Sequence, residues 1–442
     1  MFQLTLQRAY ARLPALLIGV LVVLNLLLAF AFQWYILVVI GPGTLTDGLV
    51  ASMILPQFVL SIVTGPLLNV FVPVLAPQDP ERARADTWTA LHGLGFGALA
   101  LATLLAMTAQ LWVPIVVPGF APETTRLTIT LTRISMASLV LNLLVVVTWC
   151  YYRSQGRFVQ VEINTLLGNL AGLIALVVVL PRGGVVGAAL VMAARPLLQF
   201  VLLLPGLGRY LVPDWHSPSL GTAWRRALPM LAGASFYKVT YVTDRAFASL
   251  APASSLSLFS LGIQLYGSVE QVIAKSLVAP MVPRMARLAE AGEWTQFKRV
   301  YWRHFFEILG LMLMGLLAIV LVGQAALHLL VGHGNVTDEN VQLLWLILVA
   351  LGGQLVVSPA ATVLNAACYT RGETITPTII GAAATVIGIG LRFAGLQWFG
   401  IVGLALGVSA QYALALAVLI PTTILQGARQ LKPEGSTRDS HD

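Results

Sequence analysis

The chain has 442 residues, of which 58% are hydrophobic and 10% charged, with a mean hydropathy of +0.85. So much apolar surface cannot be buried in a soluble core, which excludes an ordinary globular protein and makes lipid the main solvent of the fold. The net charge of +8 would suit a nucleic-acid partner in a soluble domain, but here the basic residues cluster in short loops, where anionic lipid accounts for them and no nucleic-acid site is expected.

In chain order, Arg8 and Arg12 precede an apolar run from Leu13 to Ile40, longer than the roughly 7–15 residues of a signal-peptide core, so the first helix is expected to stay in the mature protein. Apolar stretches of bilayer-crossing length fall at 13–40, 47–75, 88–115, 127–151, 158–180, 184–207, 227–250, 255–281, 304–331, 341–367, 374–397 and 399–425. The expectation is an all-α polytopic membrane protein of twelve helices. Pro56, Pro66 and Pro73 interrupt helix 2, and Pro359 and Pro377 fall in helices 10 and 11; each removes a backbone donor and makes either a packing kink or a hinge. The run His92-Gly-Leu-Gly-Phe-Gly97 lacks the strand and spacing of a nucleotide loop, and Gly93 and Gly97 read as a close helix–helix contact. Residues 208–225 form a polar linker, and 429–442 a charged tail expected to be disordered.

Eighteen of the 26 Lys and Arg residues, from Arg8 and Arg12 through Arg209, Arg225 and Arg226 to Arg438, fall in alternate segments on one side of the predicted helices. Only Arg126 and Arg182 fall in loops on the other side. The positive-inside rule then places both termini in the cytoplasm.

An internal repeat supports two halves. Gly184–Pro205 overlays Gly400–Pro421 without gaps at nine identical positions of 22, matching Gly184 with Gly400, Gly187 with Gly403 and Pro205 with Pro421. A weaker echo pairs Phe71-Val-Pro-Val-Leu-Ala76 with Met281-Val-Pro-Arg-Met-Ala286. Helices 1–6 (residues 1–207) and 7–12 (residues 226–428) are therefore expected to form pseudo-symmetric lobes related by an axis along the membrane normal, around a central cavity.

Chemistry is expected where charge enters the helices, because each ionised group near the bilayer centre costs about 2.5–3.5 kcal/mol unless it faces water or a partner. Helix 7 carries Lys238, Asp244 and Arg245, with Lys238 and Arg245 two turns apart on one face; helix 8 carries Glu270 and Lys275, and Asp47 opens helix 2. Two readings stay open: a salt-bridge set that locks helices 7 and 8, or a wet, net-positive cavity for an anionic headgroup. Arg133 and Arg392 read as snorkelling to the surface, and Arg195 as structural. The six histidines show no metal-ligand spacing, and Cys150 and Cys368 read as packing residues, so no catalytic constellation, metal site or cofactor is expected. Asn335-Val-Thr337 is a lone glycosylation sequon.

The segment Gly41-Pro-Gly-Thr-Leu-Thr-Asp47, Phe71–Ala76, Pro118-Gly-Phe120, Gly156-Arg-Phe158 and Asp244 followed by Ala248-Ser249 resemble the MurJ/MviN family of lipid II flippases, in the MOP (multidrug/oligosaccharidyl-lipid/polysaccharide) superfamily. The resemblance implies a transporter rather than an enzyme, two six-helix lobes, a polyprenyl-diphosphate-linked glycan as partner, and H+ or Na+ as coupling ion. Two departures bear on substrate. The family pattern runs to fourteen helices where twelve are read here. Its cavity arginines from helices 1, 2 and 8 are matched by Phe32 and Gln33, by Leu60, and by Gln264; only Asp47 carries over, leaving Lys238, Arg245 and Lys275 as the nearest replacement cations. The reading is a flippase of lipid-linked glycan precursors in the bacterial cytoplasmic membrane. A cation-coupled small-molecule exporter with Asp47, Asp244 or Glu270 as ion site, and a scaffold for envelope synthesis, are the alternatives.

Overall fold

The computed structural model describes residues 2–430; the expected tail from Leu431 onward lies outside them, as do the side chains of Arg8 and Arg12. Among the described residues every regular element is helical. In lipid this satisfies each backbone group within its own segment. The helices are α1 (Phe2–Ile40), α2 (Thr44–Ser52), α3 (Ile54–Leu75), α4 (Pro80–Met107), α5 (Ala109–Val116), α6 (Pro122–Ser154), α7 (Phe158–Leu203), α8 (Pro218–Ser249), α9 (Ser255–Ile273), α10 (Ala279–Glu290), α11 (Trp294–Val331), α12 (Asp338–Ala350), α13 (Gly352–Thr370) and α14 (Ile375–Gln430).

Prolines act where their missing donor falls. Pro56 cannot donate to Ser52, four residues back, and α2 ends at Ser52. Pro66, Pro73 and Pro359 stay inside helices, whereas Pro377 sits in the first turn of α14, where no donor is lost, so it does not interrupt its helix.

Among the described residues, eight helical stretches are long and apolar enough to cross a membrane, α2 with α3 and α12 with α13 each counting as one. Two of them are double. Within α7 a Cβ on Gly168 would strike Gln199 and one on Gly172 would strike Arg195, so the chain reverses between them, at Gly184 (φ 52°, ψ −147°). Within α14 the same holds for Gly388 against Gln411 and Gly407 against Arg392, with the reversal at Gly400 (φ 59°, ψ −143°). Each is a helical hairpin covering two predicted spans, and the glycines aligned by the repeat occupy the same strained backbone region, open only to glycine at little cost. The repeat extends further than a gapless overlay reveals. Cys150-Tyr-Tyr-Arg153 ends α6 and Cys368-Tyr-Thr-Arg371 ends α13, each followed by a left-handed glycine, Gly156 (φ 71°) and Gly372 (φ 79°). Both cysteines are buried, and both arginines keep a buried Nε without a partner.

By contacts the chain separates into two compact units, one of residues 1–260 with 331–340, the other of 261–330 with 341–442. In the first, α1 packs on α7, α3 and α4 pack on α6, and α8 packs on α3, with Phe71, Leu75, Leu91, Val147, Cys150 and Leu203 in one buried cluster and Trp224 edge-on to Phe71 at 5.7 Å. Polar side chains pair inside it: Asn169 donates to Asn25 (3.2 Å), and Asn164 to the carbonyl of Gln199 (3.1 Å). In the second, α13 packs on α14; the Ser409 hydroxyl donates to the Ala350 carbonyl (2.5 Å) and the Tyr266 hydroxyl to that of Leu348 (2.6 Å). Arg392 does not snorkel: it is 2% exposed, and its guanidinium donates to Gln411 across the α14 hairpin. Arg133 does stay exposed.

Two further expectations change. Gly93 gives room to the ring of Trp215 and Gly97 faces open space, so the pair is not a helix–helix contact. The Asn335 amide donates to the Val39 carbonyl (2.6 Å) and its backbone N–H to Val38 (2.9 Å), which caps the end of α1 and commits the sequon asparagine to structure. α8 also starts inside the predicted linker, at Pro218 rather than 227, and α14 runs two residues into the predicted tail.

Candidate polar path and its comparisons

Apart from the eight apolar helices, two stretches have spanning length without the apolar composition: α8, with 32 residues, and the continuous helical run from α9 through a π-helical turn at Ala274–Val278 into α10. They coincide with predicted helices 7 and 8, and they carry six of the eight residues singled out from the sequence. Gln33 lies half-buried on α1 and Asp47 buried on α2.

In the first unit the start of α8 is built by Asp86 of α4. Its carboxylate, 3% exposed, accepts the Ser217 hydroxyl (2.6 Å), the Ser219 hydroxyl and the Gln78 amide (3.0 Å), so the N-terminal turn that Pro218 opens is anchored to α4. Farther along α8, Lys238 is exposed and forms no ion pair or hydrogen bond with another described residue. Arg245, seven residues on, is buried: its guanidinium lies 3.5 Å from the Tyr241 ring centroid and donates to the Tyr241 carbonyl (3.0 Å). The two cations share a helix face but not an environment. Asp244 is buried beside it, and the Tyr241 hydroxyl donates to Gln57 of α3 (3.4 Å).

Where α8 ends, fragments distant in sequence converge. Asp47 Oδ2 accepts the Ser254 N–H and Oδ1 the Ser257 N–H, both at 2.8 Å. Gly119 lies flat against Ser249–Leu250, where a Cβ would come within 2.1 Å of the Ser249 carbonyl oxygen, and its N–H reaches the Ser249 hydroxyl (3.4 Å). Asp47, Gly119, Phe120, Ser249 and Pro252 line one cleft of about 220 Å3. Three of the motif fragments noted in the sequence are therefore neighbours.

In the second unit Glu270 accepts the Ser358 hydroxyl (2.8 Å), Gln264 is exposed, and Lys275 is exposed within the π-helical turn, an element often found at functional positions. Within its own unit, neither lysine forms an ion pair with a described residue. Among the described residues no group of three His, Cys, Asp or Glu could hold a metal. Sequence reasoning missed Asp86 and the Cys-Tyr-Xaa-Arg repeat; a search allowing one short insertion would have found the latter.

Long apolar helices, a duplicated hairpin and two polar helices of spanning length define a helical membrane protein built on a repeat. The chain belongs to the lipid II flippase MurJ family, whose model matches residues 36–434, a family of transporters rather than enzymes. A probable lipid II flippase MurJ of Synechocystis sp. is 20% identical over 58% of this chain and 52% of its own length; one of Vibrio cholerae serotype O1 is 25% identical over 56% and 48%. The chain thus spans about half the length of the curated relatives it matches. Among solved structures, a lipid II flippase MurJ in an inward closed conformation matches with TM-score 0.80 at 15% identity, covering 94% of this chain and 90% of that one. An inward-facing multidrug resistance MATE family transporter of the MOP superfamily matches at 0.78 and 16%, covering 93% and 96%. These likenesses show the fold.

Proposed function

We propose that the chain moves a lipid-linked glycan precursor across the bacterial cytoplasmic membrane by alternating access of its repeated halves, with twelve crossings and both termini cytoplasmic. The observation that carries this reading is the pair of spanning-length polar helices in an otherwise apolar chain of the MurJ family, with Lys238 and Lys275 exposed and unpaired on them. An exposed ammonium at membrane depth is stable only beside water or an anion, and a lipid diphosphate supplies the anion. Gln33 contributes a polar contact in the first unit, and Gln264 and Glu270 do so in the second. Arg245 holds Tyr241, and Asp47 acts on the fold of α9 instead of on the headgroup. H+ or Na+ drives the return step.

The fold shared with the MATE transporter, together with Phe32 and Gln264 at the expected arginine positions, supports a second reading, cation-coupled export of small amphiphiles. Reconstitution into vesicles separates the two. A fluorescent lipid-linked precursor is expected to redistribute between leaflets only when the protein is present; an unchanged distribution alongside ion-dependent dye efflux replaces the first reading by the second.

A further inference from the structure

A cleft of about 510 Å3 lies in the first unit between α4 and the start of α8. Its size falls in the range of small-ligand sites. Its walls are prebuilt: the Trp215 ring rests on Gly93, where a Cβ would come within 3.3 Å of it, and the Trp224 ring is held edge-on by Phe71. Two donors open onto it, Arg225 and His216, both exposed and with no side-chain partner among the described residues. Two carboxylates are close by and neither lines the cleft: Asp86 is occupied by Ser217, Ser219 and Gln78, and Asp214 Oδ1 accepts the His216 backbone N–H (3.0 Å).

The surroundings fix the level of the membrane. Trp88 and Tyr210 meet at 5.3 Å beside the cleft, with Arg209 next to Tyr210 in sequence and Arg84 against Gly208, just where α4 enters its apolar stretch. Aromatic residues banded with arginines mark the boundary between headgroups and hydrocarbon. At that depth, the species rich enough in both phosphate and hydroxyls to use an arginine, an imidazole donor and two indole walls is a lipid headgroup.

We propose that this cleft binds the phosphate-and-polyol headgroup of a membrane lipid, with Arg225 and His216 on the phosphate and Trp215 and Trp224 flanking the polyol. The source is a bulk anionic phospholipid or a lipid-linked precursor. The proposal rests on the membrane placement and is independent of transport.

The test is native mass spectrometry of the delipidated full-length protein, titrated in separate arms with phosphatidylglycerol and with a polyprenyl-diphosphate-linked glycan. The double variant Arg225→Ala/His216→Ala is expected to bind one lipid about tenfold more weakly, the loss of charge-assisted hydrogen bonds, while Arg226→Ala, with the same loss of formal charge one residue along, binds as wild type. Since neither replaced side chain bonds within the fold, thermal unfolding should not change. A loss confined to one arm names the source of the headgroup. Equal losses in Arg226→Ala, or wild-type retention of both lipids by the double variant, overturn the proposal.

Discussion

The Asp47 carboxylate accepts the backbone N–H of Ser257 at 2.8 Å, although 210 residues separate the two in sequence, and with its other oxygen it accepts the N–H of Ser254. The first turn of α9 leaves its N–H groups without partners inside the helix, and a buried anion aimed at them satisfies both their hydrogen-bonding need and the positive end of the helix dipole. The chain reaches this arrangement through Ser254, whose φ of 80° is uncommon outside glycine. An acid that the sequence offers as a headgroup or ion ligand thus has both oxygens engaged in fastening α2 to α9.

Replacing Asp47 by Ala leaves two donors of a buried turn unpaired and should lower stability by about 1–3 kcal/mol. Asn keeps one acceptor and should lose less. Thermal unfolding of the purified protein in detergent orders the three; a wild-type midpoint in Asp47→Ala would show that the cap is unimportant and return the carboxylate to the list of ligands.

The hairpin glycines give a prediction whose sign differs between neighbours. Gly184, Gly400 and Gly390 all have open space where a Cβ would go, so sterics outside the residue cannot separate them. Gly184 and Gly400 have positive φ in a region nearly closed to other residues, and Ala there should cost about 1–3 kcal/mol. Gly390 is ordinary helix, and Ala there should stabilise by up to about 1 kcal/mol. Unfolding midpoints that move the same way in all three variants would contradict the hairpin geometry.

How legible this was in the sequence depended on the physics behind each feature. Spans were legible because lipid demands long apolar runs, and the repeat because Gly184 and Gly400 are indispensable to the same reversal. The start of α8 was hidden because its first turns, Pro218 to Trp224, alternate exposed Gly221 and Thr222 with buried Leu220 and Ala223 and so make no long apolar run, although Ser217-Pro218 is a helix-start signal. Arg392 was misread because a charge in an apolar helix suggests escape to the surface; its partner Gln411, 19 residues on, becomes a neighbour only when Gly400 folds the helix back. The convergence of Asp47, Gly119 and Ser249 is tertiary and left no local trace.

Lys238, Lys275 and Arg392 should separate transport from stability. Lys238→Ala and Lys275→Ala remove exposed, unpaired cations, so they should impair precursor movement per folded molecule with little change in unfolding midpoint. Arg392→Ala removes the buried partner of Gln411 and should do the reverse, lowering the midpoint while transport per folded molecule persists. Wild-type transport in both lysine variants would take α8 and the π-helical turn out of the mechanism.

Gly119, which lines a cleft with Asp47, should not tolerate a Cβ. A Cβ there would press within 2.1 Å of the Ser249 carbonyl oxygen and 2.5 Å of the Leu250 Cα, and backbone atoms cannot swing aside as a side-chain end can. Gly119→Ala must therefore push the end of α8 away from the segment before α6, at a cost of at least about 1–3 kcal/mol. The same shift loosens the turn that carries Ser254, so the Asp47 cap weakens with it. Combining Gly119→Ala with Asp47→Ala should then cost less than the sum of the two single changes. Strictly additive unfolding free energies would show that the two sites do not communicate.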